Sequence, residues 1–120
     1  MNARQCLEEA RAAGADFQRA INVFVDDFRR ADDELRSQLV NESIGAQQGK
    51  LEGLIAAVVS ALCRESGVET PDWAGTTGSP EPFFVIPAKS FELRLRLMIE
   101  SPPPFRCRNV FVPENYLSRA

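Results

Sequence analysis

Histidine is absent from all 120 residues of this chain. The absence removes the side chain most used for proton transfer near neutral pH and the commonest transition-metal ligand. It also excludes a Ser-His or Cys-His nucleophile pair built from the chain's own residues. Cysteine is sparse: Cys6, Cys63 and Cys107 stand far apart and odd in number, unlike the dense, even sets of secreted disulfide scaffolds. They read as reduced thiols, with Cys63 a small core residue inside an apolar helical stripe. No cysteines sit at metal-ligand spacing, and there is no phosphate-cradling glycine motif and no nucleophile elbow. The longest apolar run, residues 54–59, is far too short to span a bilayer, and the opening MNARQCLEEA carries no apolar h-region. These absences argue for a cytoplasmic protein that is not an enzyme, takes no cofactor or metal and does not engage a membrane.

What is present suits one small globular domain, residues 1–120. Hydrophobic residues make up 44%, with eight Phe, one Trp and one Tyr, enough for a packed core; charged residues at 26% match an ordinary folded chain. The net charge of −3 hides an asymmetry. Residues 1–87 hold eight Lys/Arg against fourteen Asp/Glu, whereas residues 88–120 hold six against three. An acidic body with a basic tail argues against non-specific nucleic-acid binding by the body and leaves the tail as an electrostatic handle.

Over residues 3–40 the pattern predicts a long helix. Leu7, Ala10, Ala13, Phe17, Ile21, Phe24, Phe28, Leu35 and Leu39 recur at steps of three and four, with one seven-residue gap after Phe28. Gly14 costs about 1 kcal/mol relative to Ala without necessarily breaking the helix. Asp26, Asp27 and Asp32 are spaced to pair with Arg29, Arg30 and Arg36. The same acidic cluster, with Asp33 and Glu34, lacks the glycine-turned loop of a Ca²⁺ site. A polar stretch, residues 41–49, ends or bends this helix. A second amphipathic helix is expected over residues 46–66, where Leu51, Leu54, Ile55, Val58, Val59, Leu62 and Cys63 form a broad apolar face and Gly67 stands just past the end. The two helices form a hairpin, residues 1–66. The second can cover only part of so long a stripe, so Phe17, Ile21, Phe24 and Phe28 are expected to form an oligomer interface.

Residues 67–87 form a Pro- and Gly-rich loop that holds Trp73, Phe83 and Phe84. Such large apolar groups point to an ordered loop packed back on the helices, or else to an aromatic loop shown to a partner. The segment Phe91–Glu100 alternates like a strand, yet its Leu, Arg, Glu and Met favour a helix, which would need burial on two sides. Past Ser101-Pro102-Pro103-Pro104, Val110-Phe111-Val112 looks extended, and Pro113-Glu114-Asn115 can open a final turn that seats Tyr116 and Leu117.

In the C-terminal basic and aromatic segment, residues 88–120, one constellation carries possible chemistry. Arg94, Arg96, Arg106 and Arg108, with Phe105, Asn109, Phe111 and Tyr116 beside them, could bind a protein partner through aromatic anchors rimmed by arginine. The same residues could hold phosphates and stack bases. No helix-turn-helix or RNA-binding signature accompanies them, so nucleic acid is the less favoured partner.

From Glu81-Pro82-Phe83-Phe84 through ESPPPFRCRNVFVPENYLSRA, the chain resembles the C-terminal block of a group of small bacterial proteins. In that block a Pro-aromatic-Phe element precedes a helix, followed by Glu-Ser-Pro, Pro-Phe-Arg, an Arg-Asn pair, Phe-Val and a closing Leu-Ser-Arg-Ala. Glu100, Ser101, Pro102, Pro104, Phe105, Arg106, Arg108, Asn109, Phe111, Val112, Leu117, Ser118 and Arg119 match it here, while Cys107 stands where the group usually has another basic residue. Members look like partners of nucleotidyltransferase-type toxins, so the resemblance implies an antitoxin-like role. It assigns no catalytic residue. The expected architecture is mainly α: a long N-terminal helix, a second amphipathic helix, a Pro/aromatic loop and a short C-terminal element. The expected function is that of a non-catalytic protein-binding module, itself oligomeric.

Overall fold

The computed structural model describes residues 1–44 and 48–118. The expected helix start at Ala46 and the Arg119 position of the C-terminal block lie outside the described residues. The fold is mainly α, with elements α1 (Ala3–Ala13), a 3-10 turn (Gly14–Asp16), α2 (Phe17–Arg30), α3 (Asp33–Asn41), α4 (Lys50–Ser66), α5 (Asp72–Thr76), β1 (Phe83–Phe84), α6 (Phe91–Glu100), α7 (Pro103–Arg106) and β2 (Val110–Phe111).

The N-terminal helical stretch runs from Ala3 to Arg30 and turns back on itself at Gly14. A capping box opens it: Asn2 Oδ1 accepts from the Gln5 N–H, and Gln5 Oε1 accepts from the Asn2 N–H. Gly14 adopts φ +60°, a conformation that costs a side-chain-bearing residue and reverses the chain. A straight helix would hold residues 1 and 27 about 39 Å apart. Instead the Met1 ammonium sits 2.9 Å from Asp27 Oδ2, and the Cys6 thiol faces the Ala20 carbonyl at 3.6 Å. The ammonium, with Arg30 in second place, holds the Asp27 carboxyl below the usual carboxylate range.

The helix expected to reach residue 40 ends at Arg30, and the seven-residue gap after Phe28 is where it breaks. Asp32 caps a new helix by accepting from the Leu35 N–H at 2.9 Å, and Asp33 and Glu34 lie in its first turn, where carboxylates complement the helix dipole. Arg36 ties α3 back to α2. Its Nε and Nη2 donate to the Phe28 and Arg29 carbonyls at the end of α2, at 3.0 and 2.9 Å, and its guanidinium lies over the Phe28 ring.

Helix α4 is the centre of the fold. Leu54, Ile55, Ala56, Ala57, Val58 and Val59 are all fully buried, as a helix surrounded by α1, α2, α5, α7 and β2 must be. It starts at Lys50, after Gly49, and ends as its sequence predicts, with Gly67 in the left-handed conformation at φ 75°. A Cβ on Gly53 would lie 2.6 Å from the Ser79 backbone nitrogen. The missing side chain is therefore what lets the 78–79 backbone rest on the helix.

Ile21, Phe24 and Phe28 are buried in this same core, and Phe17 packs against it with its ring 6.0 Å from that of Phe83. Their expected role as an oligomer interface is corrected by that burial. The hairpin folding at Gly14 gives one chain two N-terminal helices to cover the stripe, so three of the four aromatic and aliphatic anchors offer no surface to a second copy.

The loop over residues 67–87 is ordered and packs back on the helices. Trp73 Nε1 donates to the Val40 carbonyl at 2.8 Å at the end of α3. Phe83 and Phe84 pair in parallel with Val110 and Phe111, and the Phe84 and Phe111 rings sit 5.2 Å apart. A parallel pair needs a long crossover, and α6 and α7 lie within it.

Candidate protein-interaction surface

The eight residues expected to bind a partner divide into two sets. Phe105, Arg108, Asn109, Phe111 and Tyr116 build the fold, while Arg94, Arg96 and Arg106 are exposed.

In the first set, Phe105 is fully buried and meets the Tyr116 ring edge-on, with centroids 5.7 Å apart. The Tyr116 hydroxyl donates to Gln18 Oε1 at 2.6 Å, and burial raises the phenol pKa. Phe111 is buried in the β pair. Asn109 takes φ 63°, a left-handed turn that asparagine tolerates better than most residues, and its carbonyl accepts from the Phe83 N–H at 3.0 Å. The Arg108 fork is a strut. Its Nε and Nη2 donate to the Ala74 carbonyl at 3.0 and 2.9 Å, and its Nη1 donates to the Pro104 carbonyl at 2.6 Å. These side chains are occupied within the chain and are withdrawn as partner anchors.

Helix α6 carries Arg94 and Arg96 of the second set, while Arg106 ends α7. Ser90 caps α6, Oγ accepting from the Leu93 N–H at 3.1 Å. Its C-terminal end is fastened by Ser101, which is buried: the hydroxyl accepts from the Val112 N–H at 2.8 Å and lies within donating range of the Leu97 carbonyl at 2.5 Å. Leu97 is the one residue of α6 that reaches the core. The helix was expected to need burial on two sides, and in fact it is buried along only part of one. Phe91 is 78% exposed, Ile99 68%, Leu95 45% and Met98 42%. At about 100° of turn per residue, these four fall within one arc about 100° wide, the stripe that a helix ordinarily turns inward.

Around the stripe lie charged side chains. Arg96 Nε donates to Glu100 Oε1 at 2.9 Å, and that carboxylate raises the Arg96 pKa. Arg94 Nε donates to the Ala88 carbonyl at 2.9 Å, which draws its guanidinium toward the helix N-terminus. Behind α6, facing the body, is an open cavity of about 690 Å³ lined by Ile86, Leu93, Leu97, Pro113 and several polar groups. No family model, curated protein or solved structure matches this chain. Its surface chemistry therefore rests on the residues themselves.

Reasoning from spacing alone missed this stripe. The strict alternation of Phe91, Leu93, Leu95, Leu97 and Ile99 drew attention to two apolar sides, and nothing in the residue types marked which side the body would cover. Among the described residues, no group of Cys, Asp and Glu could hold a metal ion, and no helix is long and apolar enough to cross a membrane.

Proposed function

We propose that this chain is a cytoplasmic protein–protein interaction module without chemistry of its own, and that α6 is its contact helix. One observation carries the proposal: four large apolar side chains stand in water on one stripe of a helix that commits only Leu97 to its own core. Exposed contiguous apolar surface marks interaction sites, and anchors at i, i+4, i+7 and i+8 suit a helix laid against another protein. The C-terminal resemblance supports an antitoxin-like role, with a nucleotidyltransferase-type toxin as the further partner.

The alternative, a nucleic-acid-binding regulator, draws less support. The aromatic rings that would stack bases are engaged in the fold, leaving Arg94, Arg96 and Arg106 as exposed charges. The test is co-expression with the neighbouring gene's product, followed by capture at rising salt. A protein partner retained at high salt, and lost on Leu95→Glu or Ile99→Glu, is the expected result. Recovery of nucleic acid alone, released steeply by salt, would replace the proposal with the alternative.

A further inference from the structure

We infer that the cavity between the C-terminal end of α4 and α7 binds a small phosphate dianion, held by Arg64, Ser60 and Thr70 in the field of Arg108. The inference stands apart from the α6 stripe and adds a small ligand to a protein read as an interaction module.

The cavity is open, with a volume of about 490 Å³, in the size range of small-molecule sites. Ser60 and Arg64 lie one turn apart on α4, Thr70 comes from the loop after α4, and Arg108 from the segment after α7. Pro103 and Pro104 supply apolar lining. Charge is what singles the place out. The chain carries a net −3, and three other cavities all hold acids: Glu100 and Glu114 beside Arg96, Glu9 and Asp16 beside Arg19, and Glu69 and Asp72 with no cation among the described residues. The cavity at Ser60 holds two arginines and, among the described residues, no carboxylate. A smaller cavity that shares Arg108 holds no carboxylate among them either.

Its donors are uncommitted. Arg64 is exposed and makes no ion pair or hydrogen bond among the described residues. Its place in the last turn of α4 suits the helix dipole, yet that role leaves its fork of N–H donors free. Ser66 returns its hydroxyl to the Leu62 carbonyl at 2.9 Å, as helical serines often do. Neither Ser60 nor Thr70 makes any hydrogen bond among the described residues. Arg108 differs, because its fork is held by the Ala74 and Pro104 carbonyls. Neutral partners fix that guanidinium without cancelling its charge, so it adds a rigid positive field.

A free planar fork beside two hydroxyls suits a tetrahedral oxyanion, to which arginine bonds bidentately. Two cations with no acid between them favour a dianion over a monoanion. Inorganic phosphate and a phosphomonoester share that chemistry, and the prolines offer the second a surface for its organic group.

The experiment is calorimetric titration of the full chain with inorganic phosphate and with glycerol 3-phosphate, circular dichroism establishing that each variant is folded. Saturable binding with Kd below about 1 mM is expected for a dianion. Tighter binding of glycerol 3-phosphate assigns a role to the prolines, and equal binding assigns recognition to the phosphate alone; both support the site. Dimethyl phosphate, a monoanion, is expected to bind about tenfold more weakly than either. Arg64→Gln should weaken binding about tenfold and Ser60→Ala about threefold, the losses of a charged and a neutral hydrogen bond. Location is read by Cys107, which is exposed and lines the same cavity. With ligand at about ten times Kd, its alkylation by iodoacetamide should slow about fivefold. A folded chain without saturable binding overturns the inference, as does binding that Arg64→Gln leaves unchanged or that leaves Cys107 unprotected. Dimethyl phosphate bound as tightly as the dianions, or a single-stranded oligonucleotide that displaces them at equal phosphate concentration, overturns it in favour of a nucleic-acid backbone.

Discussion

The hydroxyl of Tyr116 donates to Gln18 Oε1 across 2.6 Å, joining the C-terminal turn to the first turn of α2. The ring beneath that hydroxyl packs edge-on against Phe105, so the same side chain serves the core with its face and the N-terminal hairpin with its oxygen. Removing only the oxygen isolates the second role. Tyr116→Phe is expected to lower unfolding free energy by about 0.5–1.5 kcal/mol, the net worth of a partly buried hydrogen bond. Tyr116→Ala should cost roughly 3–5 kcal/mol as a large-to-small core change. Urea titration of the two variants measures both. Equal losses would mean that the ring contributes nothing beyond the hydroxyl.

Arg108 and Arg94 separate a structural arginine from a surface one. Arg108 spans two carbonyls with a planar fork that a lysine point charge cannot reproduce. Arg108→Lys is expected to destabilise the chain by roughly 1–3 kcal/mol, because buried acceptors lose their donors. Arg94→Lys and Arg106→Lys, at exposed positions, should stay within about 0.5 kcal/mol of the parent. Thermal denaturation of the three variants ranks them. A neutral Arg108→Lys would remove its role as a strut.

Gly53 tests the close approach of the 78–79 backbone. Alanine there would gain about 1 kcal/mol of helix propensity, but its Cβ meets backbone rather than a movable side chain. Overpacking of that kind costs about 1–3 kcal/mol, so a net loss is expected from Gly53→Ala. Gly75, with open space around the position of its Cβ, is the matched control.

The thiols differ in reach. Cys6 and Cys63 are buried and Cys107 is exposed. Burial pushes the Cys6 thiol up to about 12 and the Cys63 thiol up to about 11. A thiolate-specific reagent at neutral pH should therefore titrate one thiol in the native chain and three in denaturant. The linkage has a definite sign. Below pH 9.0, the ordinary thiol value, both folded and unfolded chains keep these protons. Above it the unfolded chain ionises first, so stability falls as pH rises from 9.0 toward about 12. A flat stability profile across that range would show the two thiols to be reachable by water.

Some of this architecture was legible in the residues and some was not. Helix α4 and its Gly67 terminus follow from periodicity and one glycine, because a helix buried on nearly every side must be apolar along its length. The break before α3 reads through as one helix to residue 40, because the gap after Phe28 and the acidic run Asp32, Asp33 and Glu34 are equally compatible with the solvent side of a continuing helix. The turn at Gly14 was not legible either, since a glycine within a helical pattern is compatible with either continuation or reversal. Only the tertiary pairing of α1 with α2 decides it. The candidate site was misplaced for a related reason. An arginine or phenylalanine has the same composition signal whether it binds a partner or braces its own loop. Ser101, Phe105, Arg108, Asn109, Phe111 and Val112, the heart of the C-terminal block, all act as internal fasteners. These six residues of the block shape it, while the exposed stripe of α6 lies just before it.

The bonds from Arg29 to the Leu117 carbonyl and from Tyr116 to Gln18 also govern when the molecule can finish folding. The hairpin of α1 and α2 is local and can form early, but its outer side waits for residues made almost a hundred positions later. Closing so wide a loop demands a large entropic outlay before any contact rewards it, and chains rich in such distant contacts fold slowly. During synthesis the Gln18 Oε1 acceptor therefore waits for its Tyr116 donor until the last turn emerges. A nascent chain stalled short of Tyr116 would also leave the Phe105 ring without its edge-on partner, an apolar surface open to whatever binds unfinished proteins.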